Sequence, residues 1–319
     1  MVPGKKPLRM NQGDPSESRV YFLPHFVAER LGLFAQEGVT VDFVWAQPGD
    51  FLAKSGQIPA VLSGEADFTV GGPMVTMKMF AEGSAQLVSF SALVRRNPWF
   101  LAARNPAPDF AWSGLAGKSV LDVGAITTAS LSFRWVLAKN GIAETDLRFA
   151  ETGKAEDAAF ADFLAGEGDY VFHSLHALGS YLARGELHLV AALAEAHGDV
   201  PWSAYIALPQ TLSDRATDIE AFLRAMARAL AWVDEASPEA IAALVTPDYP
   251  GYPAEGLHLA IARYKAIGVW ATDPLIPRAD FDRFRDLLMD MGWFASPVRY
   301  EDLVAEAPAR RAIAAMTSR

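Results

Sequence analysis

Cysteine is absent from the 319 residues of this chain. A thiol nucleophile, a thiolate metal site and a disulfide are therefore excluded, because each of them requires that side chain. The sequence also lacks any apolar run approaching the ~18 residues that a membrane-spanning helix needs. We therefore expect no membrane insertion and no catalysis that depends on a thiol.

An excess of positive charge is also absent. The chain has 28 basic and 38 acidic residues, which gives a net charge of −10. This balance disfavours nucleic acid or an anionic membrane as a partner. A small anionic ligand remains compatible with it, because such binding depends on local donors. With 51% hydrophobic and 21% charged residues, the chain is typical of a globular protein of one large or two ordinary domains.

The first 18 residues lack the apolar segment of a secretory signal. Lys5, Lys6 and Arg9 are followed by polar residues, so we expect a flexible lead and not an intact signal peptide. Two locations stay open. The protein is periplasmic or lipid-anchored outside the cytoplasm if a signal has been removed, and cytoplasmic otherwise.

A seven-residue motif occurs twice, 102 residues apart. Residues 62–68 are LSGEADF and residues 164–170 are LAGEGDY, and each copy lies between a helix-like stretch and a short strand-like run. Because only two copies occur, they indicate two similar α/β lobes and not a solenoid. A cleft between two lobes is a common place for a small ligand to bind.

Alternating strands and helices predict the architecture of each lobe. The first lobe is expected to open with a strand at residues 19–23 and the second with one at residues 119–123. Such alternation favours a mostly parallel sheet flanked by helices. We expect lobe one to comprise residues 1–104 and 205–319, with the C-terminal helices, and lobe two to comprise residues 105–204.

The loops beyond the carboxyl ends of the strands are the expected binding loops, because ligands of α/β sheets bind there. These loops are residues 23–26, 47–50, 71–74, 91–97, 124–130 and 172–176. No catalytic residue, metal ligand or cofactor is predicted. The predicted ligand-binding residues are Tyr21, Pro24, His25, Trp45, Gln47, Gly71, Gly72, Met74, Ser91, Gly124, Thr127, Thr128, His173, Ser174, His176 and Trp202.

Two of these loops have the chemistry of an anion site. Gly71 and Gly72 place backbone N–H groups at a helix start. Gly124, Thr127 and Thr128 combine a glycine with hydroxyls that enter a helix N-terminus, where they can donate to a carboxylate, sulfonate or phosphate. An ordinary strand-to-helix turn and a plain N-cap are the alternatives.

The histidines and tryptophans are open to more than one interpretation. His173 and His176 could share a metal ion, but no second ligand pair lies nearby in sequence, which favours a ligand contact or structural hydrogen bonding. His25 is either a pocket residue or a satisfied turn residue. Trp45 and Trp202 lie near strand ends, where each could stack on a flat ligand or pack in the core.

The repeated acidic residues are interpreted as structural. Asp67 recurs as Asp169 and Glu65 as Glu167, at equivalent positions of two different lobes. A catalytic carboxylate pair would need to converge on one reacting group, and these positions lie outside the binding loops. We therefore expect them to support the repeated unit and not to act in catalysis.

Several segments follow one another in a recognisable order: Pro24-His25, LFAQEGV at 33–39, the repeated motif, LAGKSV at 115–120 with Gly124 and Thr127-Thr128, GVW at 268–270 and YEDLV at 300–304. This order resembles the solute-binding proteins of ABC importers for nitrate, sulfonates, taurine and thiamine-pyrimidine precursors. The resemblance covers roughly residues 19–305. It implies a two-lobe periplasmic-binding-protein fold that closes by a hinge on a small flat or anionic ligand of sulfonate, carboxylate or pyrimidine type. It also implies an ABC permease as partner if the protein is exported, and we expect a monomer.

Two enzyme branches share this scaffold. The branch that makes the thiamine pyrimidine needs a cysteine-rich iron-binding segment and an early histidine, whose place His25 takes. The branch that desulfinates aryl sulfinates relies on a cysteine nucleophile, and the lack of cysteine disfavours both. An enzyme acting on a pyrimidine or aromatic acid, with His25 or His173 as acid or base, remains the alternative. A cytosolic ligand sensor is a third hypothesis.

Overall fold

The computed structural model describes residues 6–12, 19–45, 57–124 and 126–317. The predicted ligand residue Gln47 and its turn at residues 47–50 lie outside the described residues. Within the described ranges, no helix has both the length and the apolarity needed to cross a membrane.

Strands and helices alternate through the first two thirds of the chain, and helices dominate the rest. The strands are β1 Leu8–Asn11, β2 Val41–Val44, β3 Phe68–Gly71, β4 Val88–Val94, β5 Trp99–Ala103, β6 Ser119–Asp122, β7 Arg148–Glu151, β8 Tyr170–Ser174, β9 His188–Ala192 and β10 Ser203–Ala207. The α-helices are α1 Pro24–Arg30, α2 Leu33–Gln36, α3 Gln57–Ser63, α4 Pro73–Ala81, α5 Thr127–Lys139, α6 Glu156–Ala165, α7 Leu175–Ala183, α8 Leu193–His197, α9 Pro209–Asp214, α10 Ala216–Glu235, α11 Pro238–Val245, α12 Ala254–Ala266, α13 Arg278–Asp290, α14 Tyr300–Leu303 and α15 Glu306–Thr317.

The strands form two sheets of five with the same topology. The first has the order β2-β1-β3-β10-β4 and the second β7-β6-β8-β5-β9. In the first sheet, β1 is parallel to β2 and β3, whereas β10 is antiparallel to β3 and β4. In the second, β6 is parallel to β7 and β8, whereas β5 is antiparallel to β8 and β9. Four strands of each sheet run the same way, which confirms the predicted α/β class.

The chain divides into two compact units, each containing one sheet. The first unit comprises residues 1–95, 200–250 and 270–319, and the second comprises residues 96–199 and 251–269. These boundaries differ from those expected from the sequence. Strand β5 belongs to the second sheet because it pairs with β8 and β9. Helix α12 joins the second unit because it packs against α7.

The predicted strand at residues 19–23 is wrong. Val20–Phe22 forms a turn of 3₁₀ helix that leads directly into α1, which has Pro24 in its first turn. The strand that opens the first sheet is β1, in the segment predicted to be a flexible lead. Leu8 and Met10 are fully buried, and β1 is hydrogen-bonded on one side to β2 and on the other to β3. Partners distant in sequence therefore make this short segment a strand.

Helix α10 forms the apolar backing of the first sheet, as its periodicity predicts. Its residue Phe222 stacks on Phe34 of α2, with ring centroids 5.5 Å apart, and contacts Phe68 of β3 at 4.9 Å. Burying each such side chain contributes about 1.5–3 kcal/mol. The predicted stripe is buried at every position, namely Ile219, Phe222, Leu223, Met226, Leu230 and Val233.

The repeated aspartates fasten each motif to the neighbouring strand. Asp67 accepts a hydrogen bond from the Arg9 backbone N–H at 2.8 Å, and its own N–H donates to the Arg9 carbonyl at 2.9 Å. Asp169 makes the same pair of bonds with Ser119, at 2.7 and 3.0 Å. The preceding Gly64 has a φ of +78°, a left-handed conformation that suits a helix end. The motif thus ends a helix and fixes the start of a parallel strand.

Candidate functional site

In the first unit a cavity of about 430 Å³ is lined by residues that follow or flank the carboxyl ends of β1 and β2. Parallel strands place their carboxyl ends at one edge of a sheet, where α/β proteins bind ligands. Gln12 follows β1 directly, and Trp45 follows β2 directly. The cavity therefore lies where the strand topology predicts a binding site.

Aromatic side chains form most of the cavity wall. The Phe26 ring meets Phe43 and Tyr249 edge-on, with centroids 5.7 Å away in both cases. Edge-to-face packing of this kind is favourable for aromatic rings, and the same faces suit a flat ligand. Trp45 is 49% exposed, so its indole remains accessible. The aromatic lining residues are Phe22, Phe26, Phe43, Trp45 and Tyr249.

The polar lining consists of an amide, a guanidinium and a neutralised carboxylate. Gln12 is 6% exposed, and its Nε2 has no hydrogen-bond partner among the described residues. An unsatisfied buried amide costs about 1–3 kcal/mol, which an acceptor on a ligand would recover. The Asp248 carboxylate accepts two bonds from Arg30, at 2.9 and 2.7 Å. The Arg19 guanidinium lies 5.6 Å from the centroid of the Phe22 ring.

His25 is fully buried against rings that line the cavity. Its imidazole centroid lies 4.5 Å from that of Phe26 and 5.5 Å from that of Phe43, and its Nδ1 is 3.4 Å from the Tyr205 hydroxyl. Burial lowers the pKa of His25 from 6.5 to about 3, so the ring is neutral at physiological pH. The geometry therefore gives His25 a structural environment, and it argues against an acid or base role near neutral pH.

The other predicted residues of the first unit have varied placements. Tyr21, Pro24, Met74, Ser91 and Trp202 are buried, whereas Gly72 is the extended N-cap of α4 and Gly71 ends β3. Among the predicted residues, Trp45 lines the cavity. Phe26 also lines it and lies in the predicted loop 23–26, whereas sequence reasoning missed Gln12, Phe22, Phe43 and Tyr249. Correct placement of β1 would have identified Gln12 as a strand-end residue.

In the second unit, His173, Ser174, His176 and Glu156 form a compact polar cluster. His173 and Ser174 end β8, His176 lies in the first turn of α7, and Glu156 is the first residue of α6. The Ser174 hydroxyl lies 2.5 Å from His176 Nδ1. Sequence reasoning predicted the three β8–α7 residues but missed Glu156, which lies on a different helix.

The hydrogen bonds of His173 define which ring nitrogen carries its proton. The Ser174 backbone N–H donates to His173 Nδ1 at 2.8 Å, so the proton of the neutral ring is on Nε2. That Nε2 lies 3.4 Å from Glu156 Oε2, and the interaction with His173 lowers the pKa of Glu156. His173 is 2% exposed and stacks on Trp99 at 5.8 Å with an interplanar angle of 15°.

The same tautomer bears on metal binding. Glu156, His173 and His176 offer ligand atoms within 4.8 Å of one another. A histidine that coordinates through Nε2 normally donates its Nδ1–H to a neighbouring acceptor. In His173 the Nδ1 accepts instead, so its Nε2 is a donor. The cluster therefore suits hydrogen bonding to an acceptor better than coordination of a cation.

Two tyrosines fix the backbone beside this cluster. The Leu175 N–H donates to the Tyr264 hydroxyl at 2.8 Å, and the Tyr252 hydroxyl donates to the Leu175 carbonyl at 2.8 Å. Both tyrosines belong to the second unit, and Tyr264 is fully buried. The peptide between Ser174 and His176 is thus held from both sides.

The predicted anion site at the start of α5 already has a carboxylate beside it. Thr127 and Thr128 open the helix and are half-buried, but Ser130 in the same turn donates its hydroxyl proton to the buried Asp122. This charge reduces the attraction of the helix N-terminus for an anion. Gly124 instead leaves room for the His173 ring, because a Cβ at this position would lie 2.5 Å from His173 Nε2.

Two α/β units with the same pattern of parallel and antiparallel strands, linked by repeated chain crossings, define the periplasmic-binding-protein fold, and solved structures share it. The ligand-binding component of an ABC-type import system from Staphylococcus aureus, with zinc bound, has a TM-score of 0.71 at 11% identity, covering 97% of this chain and 99% of that one. The periplasmic aliphatic sulphonate binding protein SsuA from Escherichia coli has a TM-score of 0.70 at 17% identity, covering 95% and 93%.

The sequence itself establishes the family. The NMT1/THI5-like family model matches residues 19–240, which is more than half of the chain, so the chain belongs to that family. YtlA of Bacillus subtilis (strain 168), described as a candidate binding protein, is 25% identical over 287 residues, covering 89% of this chain and 84% of YtlA. The resemblance inferred from the sequence motifs is thereby confirmed.

Proposed function

We propose that this protein is the solute-binding component of an ABC importer and that it binds a small organic molecule. The observation that carries the proposal is the cavity of the first unit, which combines aromatic walls with Gln12, whose Nε2 has no hydrogen-bond partner in the described part of the chain. Family membership supports the proposal, as do the binding roles in the names of the sulphonate-binding and import-system relatives.

The lining chemistry favours binding over turnover. The amide and the aromatic rings can hold a ligand, and the lining carboxylate, Asp248, is engaged by two hydrogen bonds from Arg30. The enzyme hypothesis assigned acid or base work to His25 or His173, and of these His25 has a pKa of about 3 and no exposed surface. The geometry therefore gives the enzyme hypothesis no support from His25.

The proposal includes a partner, a location and a motion. An ABC permease would receive the solute, and the protein would work outside the cytoplasm, as the names of the periplasmic relatives suggest. Hinge closure on the ligand remains a prediction from the sequence. Small-angle X-ray scattering with and without a bound solute tests it, and an unchanged radius of gyration would contradict it.

The test of the function is a thermal-shift screen of sulfonates, carboxylates and pyrimidines, followed by calorimetry and native mass spectrometry of each hit. A solute at a hundredfold excess over its Kd stabilises the folded state by about 2.7 kcal/mol. We expect at least one compound to bind at a ratio of one and to be recovered intact. Recovery of an altered compound would favour the enzyme, and the absence of any binder in this panel would contradict the proposal.

A further inference from the structure

We infer that the solute is a flat aromatic molecule bearing a hydrogen-bond acceptor, and that the first-unit cavity binds its ring while Gln12 donates to the acceptor. This inference rests on the proposed function and specifies the chemistry of its ligand. It separates this chain from binding proteins whose solutes are aliphatic.

The cavity walls carry the aromatic part of the inference. The Phe26 and Phe43 rings are inclined at 74° to each other, and Tyr249 extends the same edge-to-face arrangement at 79° to Phe26. A flat ring entering this space can meet one wall face-on and another edge-on, which gains about 0.5–1.5 kcal/mol per pair beyond area burial. An aliphatic chain gains only the area term.

The volume is consistent with a compact organic ligand. At about 430 Å³ the cavity lies within the range of ~300–1,000 Å³ typical of small-molecule sites. Bulky solutes such as oligosaccharides or peptides are disfavoured by this size. A one- or two-ring compound fits it.

The acceptor requirement follows from Gln12. Its side chain is buried in the cavity lining, and its Nε2 has no hydrogen-bond partner among the described residues. A carbonyl, carboxylate or sulfonate oxygen, or a ring nitrogen, would satisfy this donor. A group that only donates would leave the amide unpaired.

Charge around the cavity disfavours a cationic solute. The lining carboxylate, Asp248, is held by two hydrogen bonds from Arg30, which neutralises its charge. The other charged lining group is the Arg19 guanidinium, which lies 5.6 Å from the centroid of the Phe22 ring and would repel a cation bound beside it.

Two matched ligand pairs test the inference by calorimetry on the full chain. Benzoate is compared with cyclohexanecarboxylate and benzenesulfonate with cyclohexanesulfonate, so that charge and ring size are constant and only the aromaticity of the ring changes. We expect the aromatic member of a pair to bind at least tenfold more tightly. Equal binding of both members would overturn the inference while leaving the proposed function intact. No binding by any of the four would also overturn the inference, whereas the proposed function is contradicted only when the whole screen yields no binder.

Three variants test whether the preference for aromatic over aliphatic ligands arises in the cavity. Phe43→Leu is expected to lower the affinity for the aromatic member about tenfold and to leave that for the aliphatic member within twofold. Gln12→Leu is expected to weaken both acids about tenfold without lowering the Tm of the free protein, because an unpartnered buried amide is replaced by an apolar group. Phe281→Leu, a buried aromatic position that does not line the cavity, serves as the control. It should lower the Tm without changing the preference.

If Gln12→Leu lowers the Tm and leaves both affinities unchanged, the amide is structural and the acceptor requirement is wrong. Quenching of Trp45 fluorescence gives a second measurement. Benzenesulfonate should quench the wild type more than Trp45→Phe, since Trp45 lines the cavity.

Discussion

The two units share a strand topology but differ at the carboxyl edges of their sheets. Both sheets have three parallel strands followed by an antiparallel one, and both repeat the aspartate that fastens a motif to a strand. At this edge the first unit has an aromatic cavity lined by Gln12, whose Nε2 is unpaired within the described ranges, whereas the second has a packed cluster of histidine, serine and glutamate. The repeat therefore preserves the framework and leaves the strand-end residues free to differ.

The largest expected effect is a loss of stability on replacing Gly124 of the second unit, compared with Gly71 of the first. Gly124→Ala should lower the free energy of unfolding by about 3 kcal/mol, the upper end of overpacking costs, because the new Cβ would lie 2.5 Å from a buried imidazole. Gly71→Ala is the control, since its Cβ would meet the Gln57 side chain at an ordinary 3.6 Å. Urea denaturation measures both, and equal values would show that the second cluster is not tightly packed.

The repeated aspartates should both be costly to remove. Asp67→Ala and Asp169→Ala each remove an acceptor from a backbone N–H, at about 2 kcal/mol. Asp67→Ala should cost more than Asp169→Ala, because Asp67 also accepts two hydrogen bonds from the Arg9 guanidinium. Glu65→Ala and Glu167→Ala, two positions earlier and exposed, are the controls and should change stability by less than about 0.5 kcal/mol. Urea denaturation of the four variants tests this, and an aspartate variant as stable as its glutamate control would contradict the fastening role.

His25 gives the first unit a pH dependence. Its folded pKa of about 3 lies below the unfolded value of 6.5, so the unfolded chain binds the proton more strongly. The stabilisation that comes from burying the neutral imidazole is therefore fully present above pH 6.5. As the pH falls below 6.5, the free energy of unfolding decreases by about 1.4 kcal/mol per pH unit. Unfolding at pH 6.5 and 5.5 should show the loss, which should diminish in His25→Gln. A variant with the wild-type slope would show that another group causes it.

The smallest expected effect concerns Glu156 in the second cluster. Its side chain is 47% exposed, so Glu156→Gln should change the free energy of unfolding by less than about 0.5 kcal/mol. If the cluster contacts the solute, affinity should change more than stability does. Calorimetry with the best ligand of the screen, beside Glu167→Gln as an exposed control, measures the difference. A change in stability alone would make the residue structural.

The sequence predicted the fold well because its signals are local. The Leu-x-x-Gly-Glu-x-Asp motif combines a helix end with a strand start, and the stripe of α10 follows the helical period. Strand β1 was not predicted because its apolar alternation, Leu8 and Met10, extends over only four residues. This segment becomes a strand because it pairs with two strands that are distant in sequence. Val20–Phe22 is apolar at every position, which does not distinguish a buried strand from a buried helical turn.

The candidate site was less accessible to sequence reasoning, because it is assembled from distant segments. Trp45 was found as a strand-end aromatic, whereas Tyr249 joins it only through packing of a segment some 200 residues later. His25 carries the chemistry of a site residue, but burial among rings lowers its pKa and removes it from contact with solvent. Glu156 joins the histidines of β8 and α7 only through the fold.

The placement of β10 between β3 and β4 has a consequence for biosynthesis. The first sheet lacks its inner antiparallel strand until residue 207 has left the ribosome, because β3 and β4 are each paired to β10. Domains ordinarily fold from the N-terminus as they emerge. Here the second sheet, whose strands all lie between residues 99 and 192, can be completed first. The nascent chain is therefore expected to expose an unfinished β-edge through most of translation, and a stalled chain ending before residue 203 should be a good chaperone client.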